Sequence, residues 1–204
     1  MNASVSKTIE QVLLLKSVSE NRKKILQPLI DFIQKKVAQK EEVSINFICT
    51  HNSRRSHFAQ IWAQTAAAHF GIDLVSCYSG GTEETALFPK VVEILANQGL
   101  IILKISENHN PVYAVKYDDN ALPIIGFSKK YDSPFNPVSG FAAVMTCSQA
   151  DGGCPFIPGA EARIPITFED PKSSDNLPEQ DEVYHQRSIE IASEMLYVFS
   201  MIKR

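Results

Sequence analysis

The stretch from residue 44 to residue 67 constrains the fold of this chain more than any other. An apolar run from Val43 to Ile48 overlaps its start and predicts a buried strand. It ends with apolar residues at helical spacing from Phe58 onwards, which predict an amphipathic helix. Between the two lies the segment CTHNSRRS, residues 49–56. Because unpaired backbone N–H groups and the helix dipole converge on such a loop, the sequence predicts an anion-binding site there.

Three side chains of this loop predict its chemistry. A cysteine at the mouth of an anion-binding loop is expected to be partly thiolate at neutral pH, which makes Cys49 the candidate nucleophile. Arg55 can return to the same oxyanion with two parallel hydrogen bonds, and Ser56 can donate to the thiolate. The predicted reaction is attack of this thiolate on the central atom of a tetrahedral oxyanion. The predicted oxyanion-binding residues are Thr50, His51, Asn52, Ser53, Arg54 and Arg55.

Length and composition limit the classes of function. The chain has 204 residues, 44% hydrophobic and 21% charged, which fits one sizeable α/β domain with an extension. A net charge of −3 gives no reason to expect a nucleic-acid or membrane-surface partner. No apolar run approaches the ~20 residues that a membrane span needs, and the N-terminus makes a poor secretory signal. We therefore expect a cytoplasmic protein.

The four cysteines are Cys49, Cys77, Cys147 and Cys154. In the cytosol thiols stay reduced, so a structural disulfide framework is not predicted. The cysteines also lack the C-x-x-C spacing of common zinc sites, so no metal and no cofactor are predicted. Cys77 lies inside an apolar run and is interpreted as a core residue.

The rest of the chain predicts a parallel sheet with an extension at its N-terminus. Residues 1–42 are interpreted as a helical extension that packs on the domain or on a second subunit, with a kink or a helix start at Pro28. The domain itself is predicted over residues 43–204. Its next elements are a strand at Leu74–Tyr78 that ends in a glycine turn and a helix at Pro89–Gln98 closed by Gly99.

A β-hairpin insertion is predicted at about residues 110–128. It is followed by a short, fully apolar strand at Phe141–Thr146, a long loop, a short strand at Arg163–Thr167 and a final helix at Glu179–Ile202. Lys129 and Lys130 are interpreted as part of a solvated surface. The predicted fold class is α/β, an open three-layer sheet of mostly parallel strands with the N-terminal helical extension and the hairpin insertion.

The segment from Cys49 to Ser56 resembles the phosphate-binding loop of low-molecular-weight protein tyrosine phosphatases and of arsenate reductases with the same, flavodoxin-like fold. Residues 145–155, MTCSQADGGCP, are similar to the redox segment of thioredoxin-coupled arsenate reductases. Phe168-Glu-Asp170-Pro171 resembles the acidic Asp-Pro loop of both groups, and residues 79–81 resemble their Ser-Ala-Gly turn. The resemblance is closest to the thioredoxin-coupled arsenate reductases.

The chain also departs from these families at identifiable positions. Arg54 takes the place of a usual cysteine and is expected to add positive charge beside the anion, while His51 replaces a usual glycine. Gln60 stands where some of these reductases have an acidic residue that helps to hold potassium, so no potassium ion is predicted. No tyrosine follows Asp170-Pro171, which disfavours a tyrosyl substrate.

The resemblance implies a three-cysteine reduction of arsenate. Cys49 attacks arsenic, and Asp170, if protonated, donates a proton to the leaving hydroxide. Cys147 then attacks the sulfur of Cys49 and releases arsenite, and Cys154 attacks Cys147, which leaves a Cys147–Cys154 disulfide for a thioredoxin-like reductant. The implied catalytic residues are therefore Cys49, Arg55, Ser56, Cys147, Cys154 and Asp170, and a homodimer is one possible assembly.

Two other functions remain compatible with the sequence. A phosphatase acting on phosphomonoesters through a Cys49 phosphocysteine needs only Cys49, Arg55 and Asp170. A non-enzymatic thiol sensor or anion-binding module needs only the loop and oxidisable thiols. Interpretations without a catalytic role also stay open: Cys147 and Cys154 as coincidental thiols in a loop, Asp170 as a turn residue, Asn52 as a bend residue, and His51 and His57 as charge-tuning or solvated side chains.

Overall fold

The structure is a computed structural model that describes residues 1–153 and 156–204. Its helices are α1 (Ala3–Leu15), α2 (Glu20–Gln39), α3 (Arg55–His69), α4 (Pro89–Asn97), α5 (Ser148–Gly153) and α6 (Gln180–Ser200). Its strands are β1 (Val43–Cys49), β2 (Val75–Gly81), β3 (Ile101–Lys104), β4 (Tyr113–Lys116), β5 (Ile124–Gly126), β6 (Phe141–Met145) and β7 (Ala160–Pro165). A short 3₁₀ helix spans Pro171–Ser174.

The central sheet has the strand order β2-β1-β6-β7, and each neighbouring pair is parallel. The side chains of β1 alternate between two apolar clusters. Ile45 and Phe47 belong to the large core, whereas Ile48 belongs to a smaller cluster on the opposite face. Because both faces of the sheet are covered, β1 and β6 consist almost entirely of buried residues. The predicted α/β fold with a parallel sheet is confirmed.

The strand predicted at Leu74–Tyr78 is confirmed as β2, which spans Val75–Gly81 and so begins one residue later and ends three residues later than predicted. The glycines predicted to form a turn continue the strand instead. A Cβ atom added to Gly81 would lie 2.7 Å from the backbone N of Asn52 and 2.7 Å from the carbonyl O of Thr50. The glycine therefore allows the anion loop to approach the end of β2.

Three strands that lie between β2 and β6 in the sequence form a second, antiparallel sheet with the order β3-β4-β5. The predicted hairpin is confirmed as β4 paired with β5. The strand β3, which pairs with β4, was not predicted. The strand β6 and the helix α6 agree with their predicted ranges to within two residues, and β7 begins three residues earlier than predicted.

The N-terminal helices pack on the rest of the chain. Val5 and Ile9 of α1 and Leu29 and Ile33 of α2 are fully buried in the same core as β1 and α6. Pro28 lies inside α2, so the predicted helix start at this residue is wrong. A domain boundary after residue 42 stays a prediction. In the ranges 1–153 and 156–204, no helix is long and apolar enough to cross a membrane.

Candidate active site at the Cys49 loop

The candidate nucleophile lies at the junction of β1 and the loop. Cys49 is the last residue of β1 and is 3% exposed. Its Sγ atom lies 3.1 Å from Ser56 Oγ, and Ser56 Oγ accepts a hydrogen bond from Asn52 Nδ2 at 2.9 Å. Since Ser56 already accepts from Asn52, its own hydroxyl proton can be donated to Cys49. Asn52 has a left-handed φ of 43°, in agreement with its interpretation as a bend residue.

Arg55 brings the acidic segment to the loop. Its NH2 donates to Asp170 Oδ2 at 2.6 Å, and its NH1 donates to the carbonyl oxygen of Phe168 at 3.0 Å. Asp170 Oδ1 also accepts from the backbone N of Lys172 at 3.1 Å and so caps the 3₁₀ helix. Asp170 is therefore both a turn residue and a partner of Arg55.

These groups surround a small cavity of about 10 Å³, lined by Cys49, His51, Ser53, Arg54, Arg55 and Asp170. Every lining side chain apart from the cysteine is polar or charged. The cavity suits a small, strongly hydrated anion better than a large apolar group.

The guanidinium of Arg54 is engaged by other side chains, although part of the residue lines the cavity. Its Nε donates to the Tyr184 hydroxyl at 2.5 Å, and its NH2 donates to Asp175 Oδ2 at 2.5 Å. The guanidinium also lies 4.1 Å from the ring centroid of Phe88. The extra positive charge expected beside the anion is thus paired with a carboxylate, and oxyanion binding by Arg54 stays a prediction.

The remaining loop residues are held by neighbouring segments. The carbonyl oxygen of His51 accepts from Thr85 Oγ1 and from Ser128 Oγ, each at 3.0 Å. The His51 side chain is 39% exposed, and its Nδ1 lies 3.1 Å from Glu83 Oε2. The bend at this position is therefore supported by hydrogen bonds to the backbone rather than by a glycine.

The second cysteine lies beside the loop. Cys147 follows β6, the strand next to β1, and is 1% exposed. Its Sγ atom lies 3.4 Å from Thr50 Oγ1 and accepts from the backbone N of Ala150 at 3.3 Å. The segment after it was predicted as loop but forms α5 (Ser148–Gly153), so that prediction is wrong. Cys154, the third predicted cysteine, lies outside the described residues.

His57, for which the sequence allows a solvated or a charge-tuning role, is fully buried. Its Nε2 lies 2.9 Å from the carbonyl oxygen of Asn52, and its Nδ1 lies 3.3 Å from Ser79 Oγ. Because a carbonyl only accepts, Nε2 carries the proton and Nδ1 accepts from the serine. Burial, helped by the charge of Lys129, lowers the pKa of His57 to about 3, so this side chain is neutral at pH 7.

Lys129 was predicted to be solvated, and this is wrong: it is 2% exposed. Its Nζ lies 4.4 Å from the ring centroid of Phe127 and 5.3 Å from that of Phe135. Burial lowers the pKa of Lys129 to about 7. The attraction of the two ring faces for the ammonium group offsets part of the hydration energy that it loses. Its backbone N donates to Asn52 Oδ1 at 2.9 Å, so this residue also supports the anion loop. The aromatic residues Phe127 and Phe135, close to Lys129 in the sequence, are the signal from which its burial could have been predicted.

Cys77 is buried in β2, as predicted. Burial raises the pKa of its thiol, which makes it inert. Gln60 donates from Nε2 to the carbonyl oxygens of Cys77 at 3.1 Å and of Ile125 at 3.2 Å, and so joins α3 to both sheets.

The fold and the loop together define a class of α/β proteins in which a strand of a parallel sheet ends in a Cys-x5-Arg loop. The profile of the family "Low molecular weight phosphotyrosine protein phosphatase" matches residues 44–118. Arsenate reductase of Staphylococcus aureus (strain Newman) is 30% identical over 128 residues, which cover 63% of this chain and 78% of that protein. Arsenate reductase 2 of Staphylococcus haemolyticus (strain JCSC1435) is 28% identical over 131 residues, which cover 64% and 80%.

Solved structures share the fold. An arsenate reductase in the phosphate binding state gives a TM-score of 0.50 at 16% identity and covers 79% of this chain and 99% of that one. A low molecular weight phosphotyrosine phosphatase of Vibrio cholerae O395 gives 0.52 at 12% identity and covers 78% and 94%. The chain belongs to the family of low molecular weight phosphotyrosine protein phosphatases and arsenate reductases, and it is an enzyme.

Proposed function

We propose that this enzyme reduces arsenate to arsenite through three cysteines. The observation that carries the proposal is the position of Cys147, whose Sγ lies 3.4 Å from the hydroxyl of Thr50 in the anion loop. Phosphate-ester hydrolysis needs one nucleophilic cysteine. A second thiol beside the first is what an electron relay requires.

In the first proposed step, arsenate binds in the loop and the Cys49 thiolate attacks arsenic. A bond forms between Sγ and arsenic, and the bond from arsenic to one hydroxyl group breaks. This group leaves as water with a proton from Asp170, which must enter the step in its protonated form. The hydrogen bond between Ser56 and Cys49, 3.1 Å long, supports the thiolate. Arg55 donates hydrogen bonds to Asp170 and to the carbonyl oxygen of Phe168. We propose that it exchanges one or both of them for hydrogen bonds to the anion when arsenate binds.

In the second step, the Cys147 thiolate attacks Sγ of Cys49. A disulfide forms between the two sulfurs, the sulfur–arsenic bond breaks, and its electron pair stays on arsenic. Arsenic thereby gains two electrons and leaves as arsenite, while the two sulfurs are oxidised. The hydrogen bond from the backbone N of Ala150, 3.3 Å long, supports the Cys147 thiolate.

In the third step, Cys154 attacks Cys147 and frees Cys49. The six residues between these two cysteines form α5, which extends over about 9 Å. The Cα atoms of a disulfide lie roughly 4.4–6.8 Å apart, and we propose that α5 unwinds to let the bond form. Two glycines, Gly152 and Gly153, weaken this helix and suit such a change.

The test is a single turnover with reduced protein and arsenate, followed by peptide mapping of disulfides. One arsenite per protein and a Cys147–Cys154 bond are expected. Continuous turnover with thioredoxin, thioredoxin reductase and NADPH should consume NADPH in proportion to arsenate. The inert Cys77 provides the matched control, since Cys77→Ala should leave both results unchanged.

Two outcomes contradict the relay. One is a Cys154→Ser variant that turns over arsenate as fast as the wild-type enzyme. The other is a wild-type enzyme that releases no arsenite in a single turnover. A Cys154→Ser enzyme that stops after one arsenite with a Cys49–Cys147 bond supports the order of the steps.

Hydrolysis of phosphomonoesters is the second candidate function. The observation in its favour is the contact between Arg55 and Asp170 at the mouth of the cavity, since a bound ester would meet an anion-binding group and an acid together. An aryl phosphate should then be hydrolysed at a rate that the Cys147→Ser and Cys154→Ser changes do not affect. Slow hydrolysis alone does not distinguish the two functions, because the loop accommodates phosphate and arsenate alike.

The proposed reductant is a thioredoxin-like protein, and the proposed location is the cytoplasm, where such reductants keep thiols reduced. Reduction of the oxidised enzyme by thioredoxin but not by glutathione at equal thiol concentration would support this choice. A homodimer stays a prediction, for which sedimentation of the full chain is the direct measurement.

A further inference from the structure

Two consecutive arginines bind the two ends of one acidic segment. Arg55 donates to Asp170 Oδ2 at 2.6 Å, and Arg54 donates to Asp175 Oδ2 at 2.5 Å. The 3₁₀ helix Pro171–Ser174 lies between the two carboxylates. Both ends of this helix are therefore fixed to neighbouring residues at the start of α3.

The contact at Asp175 is the more enclosed of the two. The side chains of Arg54 and Asp175 are 11% and 18% exposed, whereas the Asp170 side chain is 38% exposed. The Tyr184 hydroxyl accepts from Arg54 Nε and donates to Asp175 Oδ1, both at 2.5 Å. Three side chains thus form a closed ring of hydrogen bonds, and Phe88 covers one face of the guanidinium.

We propose that Arg54 is a positioning residue that holds the proposed acid, Asp170, at the mouth of the cavity. It acts through Asp175 and Tyr184, which fix the far end of the 3₁₀ helix, while Arg55 contacts the near end. A reacting group that is displaced by about 1 Å can lose roughly a hundredfold in rate, so the anchor matters to the chemistry. This inference rests on the proposed function, because it assigns Asp170 a part in the reaction.

A direct electrostatic effect of Arg54 on the anion is the competing explanation. The charge of Arg54 is neutralised by Asp175 at 2.5 Å, which weakens its field at the cavity. The two roles differ in their consequences. A positioning residue needs the forked guanidinium, whereas an electrostatic one needs only the positive charge, so Arg54→Lys separates them.

The experiment compares Arg54→Lys and Arg54→Met with the wild-type enzyme and with Arg187→Met, which removes a different ion-paired arginine. Amide hydrogen exchange at Lys172 and Asp175 should be faster in both Arg54 variants. The kcat for arsenate should fall at least about tenfold in both, with KM within about threefold. The rate at which iodoacetamide alkylates Cys49 should stay within about twofold, and Arg187→Met should behave as the wild type.

Unchanged exchange in the segment or unchanged kcat in Arg54→Lys overturns the proposal. If Arg54→Met does not fold, Tyr184→Phe decides instead, because it removes one hydroxyl from the ring and should show the same pattern in a milder form. A wild-type enzyme inactive towards both arsenate and an aryl phosphate contradicts the proposed function. The exchange comparison would then still show whether Arg54 anchors the segment.

Discussion

Arg22 of α2 and Glu194 of α6 form a two-pronged ion pair, with Nε–Oε1 at 2.7 Å and NH2–Oε2 at 2.6 Å. Glu194 is 3% exposed, and its burial raises the pKa of the carboxyl while Arg22 opposes this shift. Arg22 also donates to the carbonyl oxygen of Thr167 at 3.3 Å and lies 5.1 Å from the ring centroid of Phe168. The N-terminal extension is therefore joined to the chain that leads to Asp170.

Replacing Arg22 should destabilise the whole fold. Arg22→Met leaves the Glu194 carboxylate buried without its partner, and we expect the free energy of unfolding to fall by about 2–3 kcal/mol, reduced from the fully buried case because Arg22 is partly exposed. Urea denaturation followed by circular dichroism measures this change. Lys23→Met, which breaks the exposed pair with Glu20, is the control and should leave the free energy of unfolding nearly unchanged.

The double variant Arg22→Met/Glu194→Leu refines this prediction. Because it removes both charges from the buried site, it should recover most of the lost stability. A double variant as unstable as Arg22→Met alone would show that packing of the arginine side chain, rather than the unpaired carboxylate, accounts for the loss.

The hydroxyl of Ser56 should increase the reactivity of Cys49. Ser56→Ala removes the group 3.1 Å from Sγ, and a hydrogen bond to a charged group contributes about 1.5–3 kcal/mol. Alkylation by iodoacetamide at pH 7 should therefore slow by about tenfold. Ser193→Ala, which changes a hydroxyl bonded within α6, serves as the control. Equal alkylation rates in the wild type and Ser56→Ala would exclude this role.

The burial of Lys129 should appear in the pH dependence of stability. The pKa of Lys129 is about 7 in the folded protein against an ordinary 10.5, so between these values the unfolded chain binds the additional proton. The contribution of this group to stability therefore rises as the pH increases from about 7 to about 10.5.

Lys129→Met removes this titration. We expect the variant to gain about 1–3 kcal/mol over the wild type at pH 6, and we expect the gain to shrink as the pH approaches 10. Urea denaturation across this pH range measures the difference. Lys130→Met is the matched control, since Lys130 is exposed and should give a difference that does not vary with pH. A constant difference for Lys129→Met would contradict the prediction.

The proposed third step should respond to the helix propensity of α5. Nothing lies within 4 Å of a Cβ atom added to Gly152, so Gly152→Ala stabilises the helix by up to about 1 kcal/mol without a clash. Formation of the Cys147–Cys154 bond should then slow about two- to fivefold in rapid-quench experiments. Release of arsenite in the first turnover should keep its wild-type rate, and slowing of both steps would contradict the proposed order.

The parts of the fold that follow from local sequence were predicted. The strand β1, the strand β6 and the loop between Cys49 and Ser56 each depend on apolar runs and spacings within a few residues. The approach of Cys147 to the anion loop also follows from the succession of strands and helices, because neighbouring parallel strands end at the same edge of a sheet.

Features that depend on distant residues were not predictable. The partners of Arg54 lie 121 and 130 positions away, at Asp175 and Tyr184, and neither position carries a recognisable motif. The buried Lys129 likewise has its Nζ beside the rings of Phe127 and Phe135, a contact that forms only in the folded chain. Charge in a sequence favours exposure, and only tertiary packing overrides this preference.

The adjacency of β1 and β6 has a consequence for how the proposed relay depends on temperature. The register of β1 and β6 pairs Ile48 with Met145, so Cys49 and Cys147 both lie at the same edge of the sheet. We therefore expect the exchange between them to need less rearrangement of the backbone than the last exchange. The proposed last exchange includes the unwinding of α5, for which we expect a larger activation enthalpy. Cooling a turnover mixture should therefore make the Cys49–Cys147 disulfide accumulate, and warming should reduce its amount.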